Sequence, residues 1–363
     1  VNDQAASVQS LRIERLRARM EVAEIDVLLV SSPSNLRYLS GFSGGEGLLL
    51  VKPDDVLFAS DSRYTLQAEQ EAPGVRFMEV NDPMPQVLPT LLGKESTVVG
   101  VESGWVTLAT WKELEPALEG RPRRLIHGMV EELRRVKDDE EIPHLRRAGA
   151  LAASSLDYLA SRAVLGRTEA ELALELEFHV RSRGSEGVPF AYIVAGGERG
   201  AMPHALPSEY RLREGDLIVI DFGAVVGGYA SDMTRTFGVG SLSEECRRMH
   251  HAVQQAQAAA VGAVCAGVRC AEIDAIARNH LEKAGVPGVF RHSVGHGVGL
   301  EVHEAPRLSQ STDDVLEAGM VVTIEPAVYV ADVGGVRIED TVLVTPDGCE
   351  VLTEWERGLL TLT

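Results

Sequence analysis

Cysteine is scarce: Cys246, Cys265, Cys270 and Cys349 are the only 4 among 363 residues, and no two form a CxxC pair. That spacing excludes a disulfide framework and a thiolate zinc site, and it reads the four as small apolar residues in a reducing compartment. Long apolar runs are missing too. None approaches the roughly 20 residues a helix needs to cross a bilayer, so no membrane partner is expected. The opening stretch VNDQAASVQSLRIERLRARM has no apolar core of the kind a secretory signal carries and reads as an amphipathic helix, which makes the expected location cytoplasmic. Positive charge is short as well, with 35 Lys and Arg against 54 Asp and Glu and a formal net charge of -19. Such a surface repels phosphate, so nucleic acid is excluded as a partner.

What is present is an ordinary globular composition, 45% hydrophobic and 25% charged, in a chain too long for one core. Two domains are expected, 1–128 and 129–363. In the first, residues 8–23 place Leu11, Leu16 and Met20 among arginines as a surface helix. IDVLLV reads as a buried strand, and LLLVKPDDVLFAS as two strands around a Pro-Asp-Asp turn. Strands alternating with helices predict an α/β domain with a mixed sheet. From about residue 130 the chain turns charged, then alanine-rich and helical, and TEAELALELEFHVRSRG predicts a further helix. Glycine-punctuated strands follow over 186–240, a helical block over 243–285, and strands again to the end. Helices, strands, helices, strands predict an α+β domain with an internal two-fold repeat.

The chemistry lies in five segments of that second domain, VIDFGA, YASDMTRT, SVGHGVGL, TIEPAVY and GVRIEDTVLV, which carry Asp221, Asp232, His296, Glu325 and Glu339. LIVIDFGAVVGGYASDMTRTFGV reads as a hairpin turning at Gly227-Gly228, where positive φ is free of steric cost. That turn sets Asp221 opposite Thr234 and makes Asp232 its diagonal neighbour, roughly 7–8 Å away at Cα. VVTIEPAVYVADVGGVRIEDTVLV repeats the pattern, with Glu325 and Glu339 about a turn expected at Gly334-Gly335. Pro326 ends the first strand or places it at an edge. A single strand carboxylate is usually a solvated face residue. Inside apolar runs such as LIVIDFG and VVTIEP a carboxylate needs a partner, and a cation removes the repulsion between two. Four carboxylates and one imidazole can hold two divalent ions, which generate hydroxide at neutral pH and clamp a tetrahedral transition state. The set predicts a metal-dependent hydrolase using two divalent ions, Mn2+ first, with Co2+, Fe2+ or Zn2+ as alternatives. A phosphoester hydrolase is disfavoured by the acidic charge and by the lack of a basic phosphate cradle.

The spacing and context of these five residues resemble the pita-bread metallopeptidases, which include methionine aminopeptidase, prolidase and aminopeptidase P. The resemblance spans essentially the whole chain, with a creatinase-like N-terminal domain ahead of the catalytic one. It implies a pita-bread α+β catalytic domain with a pseudo-two-fold repeat behind a smaller α/β domain. Methionine aminopeptidase lacks that first domain. Creatinase and the non-enzymatic relatives lack the ligands. The implied roles are Asp221 on one ion, His296 and Glu325 on the other, and Asp232 and Glu339 bridging. A bridging water or hydroxide attacks the scissile carbonyl, and Glu325 accepts its proton. Three histidines stand where the family keeps them: His204 in AMPHALPS, His292 in FRHSVGHG and His303 in LEVHEAP. An imidazole can donate to a developing oxyanion and protonate a leaving nitrogen. His303 is expected to stabilise the tetrahedral intermediate, His204 to position the substrate or protonate the imino nitrogen, and His292 to line the proline pocket. His127, His144, His179, His250, His251 and His280 read as ordinary surface or helix residues. Arg337, two before Glu339, is expected to orient that carboxylate or contact substrate; Arg235 reads as structural.

Within the proline-specific branch, SDSRYTLQAEQEAPG resembles the Asp-x-Arg-Tyr stretch of aminopeptidase P, which cleaves the first residue from peptides with proline second. Asp61, Arg63 and Tyr64 could equally be structural. The expected activity is that of a Xaa-Pro aminopeptidase, with Xaa-Pro dipeptidase as the alternative, acting as a homodimer.

Overall fold

The computed structural model describes residues 7–363 apart from 95, 287 and 289. The chain divides into two compact units, with the change between Arg134 and Arg135. In the first unit the strands are β1 (Val27–Val30), β2 (Leu48–Val51), β3 (Val56–Ser60), β4 (Arg76–Glu79), β5 (Val99–Glu102) and β6 (Arg123–Ile126). They form one mixed sheet in the order β4-β3-β2-β1-β5-β6. The helices are α1 (Val8–Val22), α2 (Pro33–Ser40), α3 (Thr65–Glu71), α4 (Met84–Leu92), α5 (Leu108–Leu114) and α6 (Glu131–Arg134). β2 and β3 pair antiparallel about the Pro-Asp-Asp turn, as expected. Leu88, Leu91 and Leu92 of α4 pack with strand residues such as Leu29, Leu50 and Val101 into one core. The expected apolar face of α1 needs correction. Leu11 is 43% exposed, and the inward residues are Arg12, Ile13, Leu16 and Met20. Ile13, Leu16 and Met20 share a helix face by their spacing of three and four, and Leu11 lies about 200° from Ile13. Arg12 is buried because its guanidinium donates to Tyr38 O at 2.8 Å and lies over the Tyr38 ring.

The second unit builds one plan twice. The first half runs α7 (Ile142–Ala160), α8 (Glu169–Ser182), β7 (Ile193–Gly196), β8 (Leu217–Phe222), β9 (Val225–Val226), β10 (Tyr229–Ala230) and β11 (Met233–Val239). The second runs α9 (Glu244–Gly262), α10 (Cys270–Ala284), β12 (Gly295–Gly297), β13 (Glu304–Leu308), β14 (Val321–Ile324), β15 (Ala327–Val330), β16 (Gly334–Arg337), β17 (Asp340–Thr345) and β18 (Gly348–Val351), before the short β19 (Thr361–Leu362). Each half opens with two helices and a strand and contains a long hairpin interrupted midway; the second half adds β13 and β18. The sheets are ordered β19-β11-β8-β7 and β13-β12-β14-β17-β18. This is the pita-bread fold. Each half has its own core: Leu156, Leu172, Leu176, Ile218 and Phe237 under α7 and α8, and Ile273, Ala277, Val322, Ile324 and Val342 under α9 and α10. Each such Leu, Ile or Val contributes about 1.5–3 kcal/mol by leaving water. Cys270 sits in the second core, and burial pushes its thiol up to about 12. The four cysteines are free. Among the described residues no helix is long and apolar enough to cross a membrane.

The first hairpin turns where expected, at Gly227-Gly228 with φ of 59° and 80°. The second does not turn at Gly334-Gly335. Its last pair is Val330 with Gly334, and the turn is Ala331-Asp332-Val333, with Asp332 at φ 63°. Aspartate tolerates that left-handed conformation by bonding locally. Gly335 serves a different need: a Cβ there would stand 1.9 Å from Gly200 O, so its bare backbone admits the turn at Gly197–Ala201.

Candidate active site

Strand register brings the acidic residues together. Thr234 on β11 faces Asp221 on β8, and the same register makes Asp232 the diagonal neighbour of Asp221. In the second hairpin Ile324 faces Asp340 and Ala327 faces Arg337, which sets Glu325 opposite Glu339. Thr234 joins the two hairpins. Glu339 N donates to Thr234 O at 3.0 Å, and Thr234 Oγ1 donates to Glu339 Oε2 at 2.6 Å. Behind them Arg235 donates to Glu339 O at 2.6 Å and pairs with the fully buried Asp340 at 2.8 Å, which is the structural part expected of it.

His296 on β12 completes the group. Its Nε2 stands 3.4 Å from Glu325 Oε1 and 3.6 Å from Asp232 Oδ2. Its Nδ1 donates to Gly297 O at 3.0 Å, which leaves Nε2 as the lone-pair nitrogen of the neutral ring. Burial pushes His296 down to about 4, favouring that neutral form. Burial, then the charges of Glu339, Asp221 and Glu325, holds Asp232 well above the usual carboxylate range. Glu339 is raised by burial and by Glu325 and Asp221, and burial pushes Glu325 up to about 8. One guanidinium, Arg337, does not offset four carboxylates.

The residues fit divalent cations. Asp232, His296 and Glu339 offer ligand atoms within 4.8 Å of one another. Asp221 Oδ1 and Asp232 Oδ1 are buried with no hydrogen-bond partner, a costly arrangement unless a cation takes those lone pairs. Oxygen donors with one imidazole suit manganese, cobalt or iron(II).

The nine side chains expected to hold metal or meet substrate line or floor one cavity of about 570 Å³: Asp221, Asp232, Glu325, Glu339, Arg337 and His204, His292, His296, His303. The His303 ring lies 4.4 Å from that of His296. His292 Nδ1 donates to Ser293 O at 2.8 Å and lies 3.7 Å from Glu325 Oε2. Arg337 holds a different carboxylate from the one expected: its Nη2 donates to Asp221 Oδ2, and it reaches Glu339 only through Thr234, to whose Oγ1 its Nε donates at 3.1 Å. β16 packs against β8 and β11, where Arg337 N donates to Thr236 Oγ1 at 3.0 Å, and this sets the side chain beside Asp221. None of the six histidines read as ordinary lines this cavity.

Three contributors escaped the sequence reading. Tyr329 takes a hydrogen bond from Arg337 Nη1 at 2.9 Å and sits 2.9 Å from His292 Nε2. With Nδ1 of His292 committed to Ser293, the phenol is the donor in that second bond. Its signal was period-two spacing from Glu325 along an apolar strand. Arg307 faces His296 across β12 and β13 and lines the cavity, and Phe190 forms part of the apolar wall. Neither stands out locally in the sequence.

Comparison with known proteins agrees with this geometry. Residues 143–346 match metallopeptidase family M24, and residues 12–136 match the creatinase/prolidase N-terminal domain. The Xaa-Pro dipeptidase of Pyrococcus furiosus is 37% identical over 96% of this chain and 99% of its own length. The structure of a Xaa-Pro dipeptidase from Bacillus anthracis superposes with a TM-score of 0.94 at 36% identity, covering 98% of this chain and 100% of that one. An X-Pro aminopeptidase from Thermotoga maritima gives 0.88 at 35% identity, over 95% and 100%. With carboxylates and imidazole gathered on a doubled pita-bread frame, the chain belongs to metallopeptidase family M24 and is a hydrolase of that family, preceded by a creatinase/prolidase N-terminal domain.

Proposed function

We propose that this chain hydrolyses the peptide bond between an N-terminal residue and a following proline, with Asp221, Asp232, His296, Glu325 and Glu339 holding two divalent ions. The observation that carries the reading is the convergence of four carboxylates and a lone-pair imidazole nitrogen, two carboxylate oxygens orphaned, on one cavity. Asp221 would serve one ion, His296 and Glu325 the other, and Asp232 and Glu339 both; manganese suits the set. Such ions supply a Lewis acid for the carbonyl oxygen and an activated water at neutral pH.

The chain's own residues do the rest. Glu325 accepts the proton of the attacking water. His303 donates to the developing oxyanion. His204 protonates the imino nitrogen, a poor leaving group until it is protonated. His292, held by Ser293 and Tyr329, walls the proline pocket with Phe190. Arg337 lies under the substrate and orients Asp221.

Arg307 favours short substrates. It lines the cavity opposite His296, a cation suited to the free carboxylate of a Xaa-Pro dipeptide. The second reading, a Xaa-Pro aminopeptidase acting on longer peptides, has the SDSRYTLQAEQEAPG segment in its favour. There Arg63 pairs with Asp61 at 2.7 Å and Glu46 at 2.5 Å on an exposed surface, so a local structural role accounts for it equally well.

The test is direct. Protein supplied with manganese is offered a Xaa-Pro dipeptide and a pentapeptide with proline second. Faster turnover of the dipeptide, with a raised KM for it alone in Arg307→Ala, is expected. Equal or faster cleavage of the pentapeptide makes the protein an aminopeptidase. Failure to cleave either with any divalent metal removes the peptidase reading.

A further inference from the structure

Besides Asp340, two fully buried carboxylates lie outside the cavity, one in each half of the catalytic unit. Glu169, the first residue of α8, is 0% exposed. It accepts from Gly196 N at 2.8 Å, where β7 ends, and from Ser208 N and Oγ at 2.9 and 2.7 Å. It therefore closes the base of the loop over residues 197–207. Arg199 within that loop pairs with Glu169 at 2.9 Å and donates across to Leu206 O at 2.7 Å. Pro203, His204 and Leu206 of the braced loop line the cavity.

Asp274 on α10 is also 0% exposed. It accepts from Val294 N at 3.1 Å, just ahead of β12, and pairs with Arg278 one turn along at 2.6 Å. Arg278 donates to Phe290 O at 2.9 Å and His292 O at 2.6 Å. α8 and α10 are the second helices of the two halves, and β7 and β12 are the first strands after them. The same device thus recurs at equivalent places from different residues: a glutamate paired across a loop, and an aspartate paired along a helix. A buried ion pair adds little net stability over an apolar replacement. What both pairs supply is fixed geometry for a segment bearing a cavity histidine.

We propose that these are two positioning clamps, Glu169 with Arg199 for His204 and Asp274 with Arg278 for His292, each setting where its own histidine stands against the substrate. The inference rests on the reading of those histidines as substrate-facing groups.

The test is a crossed set of double-mutant cycles on kcat/KM for a Xaa-Pro peptide, with bound metal measured in every variant. Glu169→Gln and Asp274→Asn should each lower kcat/KM tenfold or more, toward the roughly 100-fold that a misplacement of about 1 Å costs, with metal content unchanged. Glu169→Gln should have little further effect in His204→Ala and its full effect in His292→Ala; Asp274→Asn should show the reverse. Hydrogen exchange should rise over 197–208 in the first variant and over 290–294 in the second. Losses that multiply in all four combinations, or clamp variants that keep full activity, overturn the proposal. If His204→Ala and His292→Ala are themselves fully active, the histidine reading has failed and the clamps fall with it; if only the clamp variants are active, the clamps alone fall. Should a carboxylate variant not fold, Arg199→Lys and Arg278→Lys keep the charge but lose the second bond. They should show the same crossed pattern in weaker form, and a uniform pattern counts against the clamps.

Discussion

The first half of the catalytic unit brings two aspartates and His204 to the cavity; the second brings three glutamates, Arg307, Arg337 and three histidines. The frames match, yet the pairs are set differently. Asp221 and Asp232 are diagonal across their hairpin, while Glu325 and Glu339 are directly opposed. A diagonal pair lies farther apart than an opposed one, so the first half spans the site and the second closes on it. The lone imidazole nitrogen among the proposed ligands, on His296, comes from the second half. The repeat supplies position, and side-chain choice at matching positions supplies chemistry.

The largest break in that comparison should come from removing one carboxylate from each half. Asp232→Ala and Glu339→Ala should each lower turnover by on the order of 10³-fold or more, the upper range for a single electrostatic group. Each should also lose bound metal by elemental analysis. If one half's variant keeps both metal and rate, the halves do not share the ions.

His303→Ala should lower kcat by roughly 10²–10⁴-fold, the range for a positioned proton donor, with metal content intact. Loss of metal instead would move His303 into the ligand set.

Acid should loosen the second half first. Burial pushes His250 on α9 down from 6.5 to about 4, whereas none of the buried residues of α7 titrates. Below about pH 6.5 the unfolded chain takes the extra proton and the folded chain does not. The stability His250 contributes is therefore complete above that pH and is lost as pH falls toward 4. Across this window the loss is on the order of 3 kcal/mol. Hydrogen exchange against pH should show α9 opening before α7, and His250→Gln should remove the difference.

The smallest effect separates the second helices. α8 begins with a reciprocal cap between Thr168 and Glu171, while Arg269 ahead of α10 makes no side-chain cap. Thr168→Ala should cost about 1 kcal/mol in a denaturant titration, and Arg269→Ala much less on this account.

Much of the site was legible because its parts are local. Period-two alternation and a Gly-Gly turn placed Asp221 opposite Thr234, and Pro326 correctly ended β14. The second turn was misplaced because Gly334-Gly335 looks like a turn locally, while the close approach of Gly200, far away in the chain, is what demands Gly335. Tyr329 and Arg307 were missed because their meaning depends on what faces them.

The sequence by itself determined the strands, the helices, the doubled plan and the carboxylates and imidazole that gather at the cavity, since propensity, periodicity and carboxylates inside apolar runs are properties of short segments. Tertiary structure alone decided how the pieces meet. Arg337 holds Asp221 from 116 positions away, and Thr234 ties the two hairpins through Glu339 from 105. Glu169 and Asp274 close on loops that only folding brings to them. Bonds between such distant residues form only after loop closure has been overcome by the burial of both cores, and no local pattern encodes them.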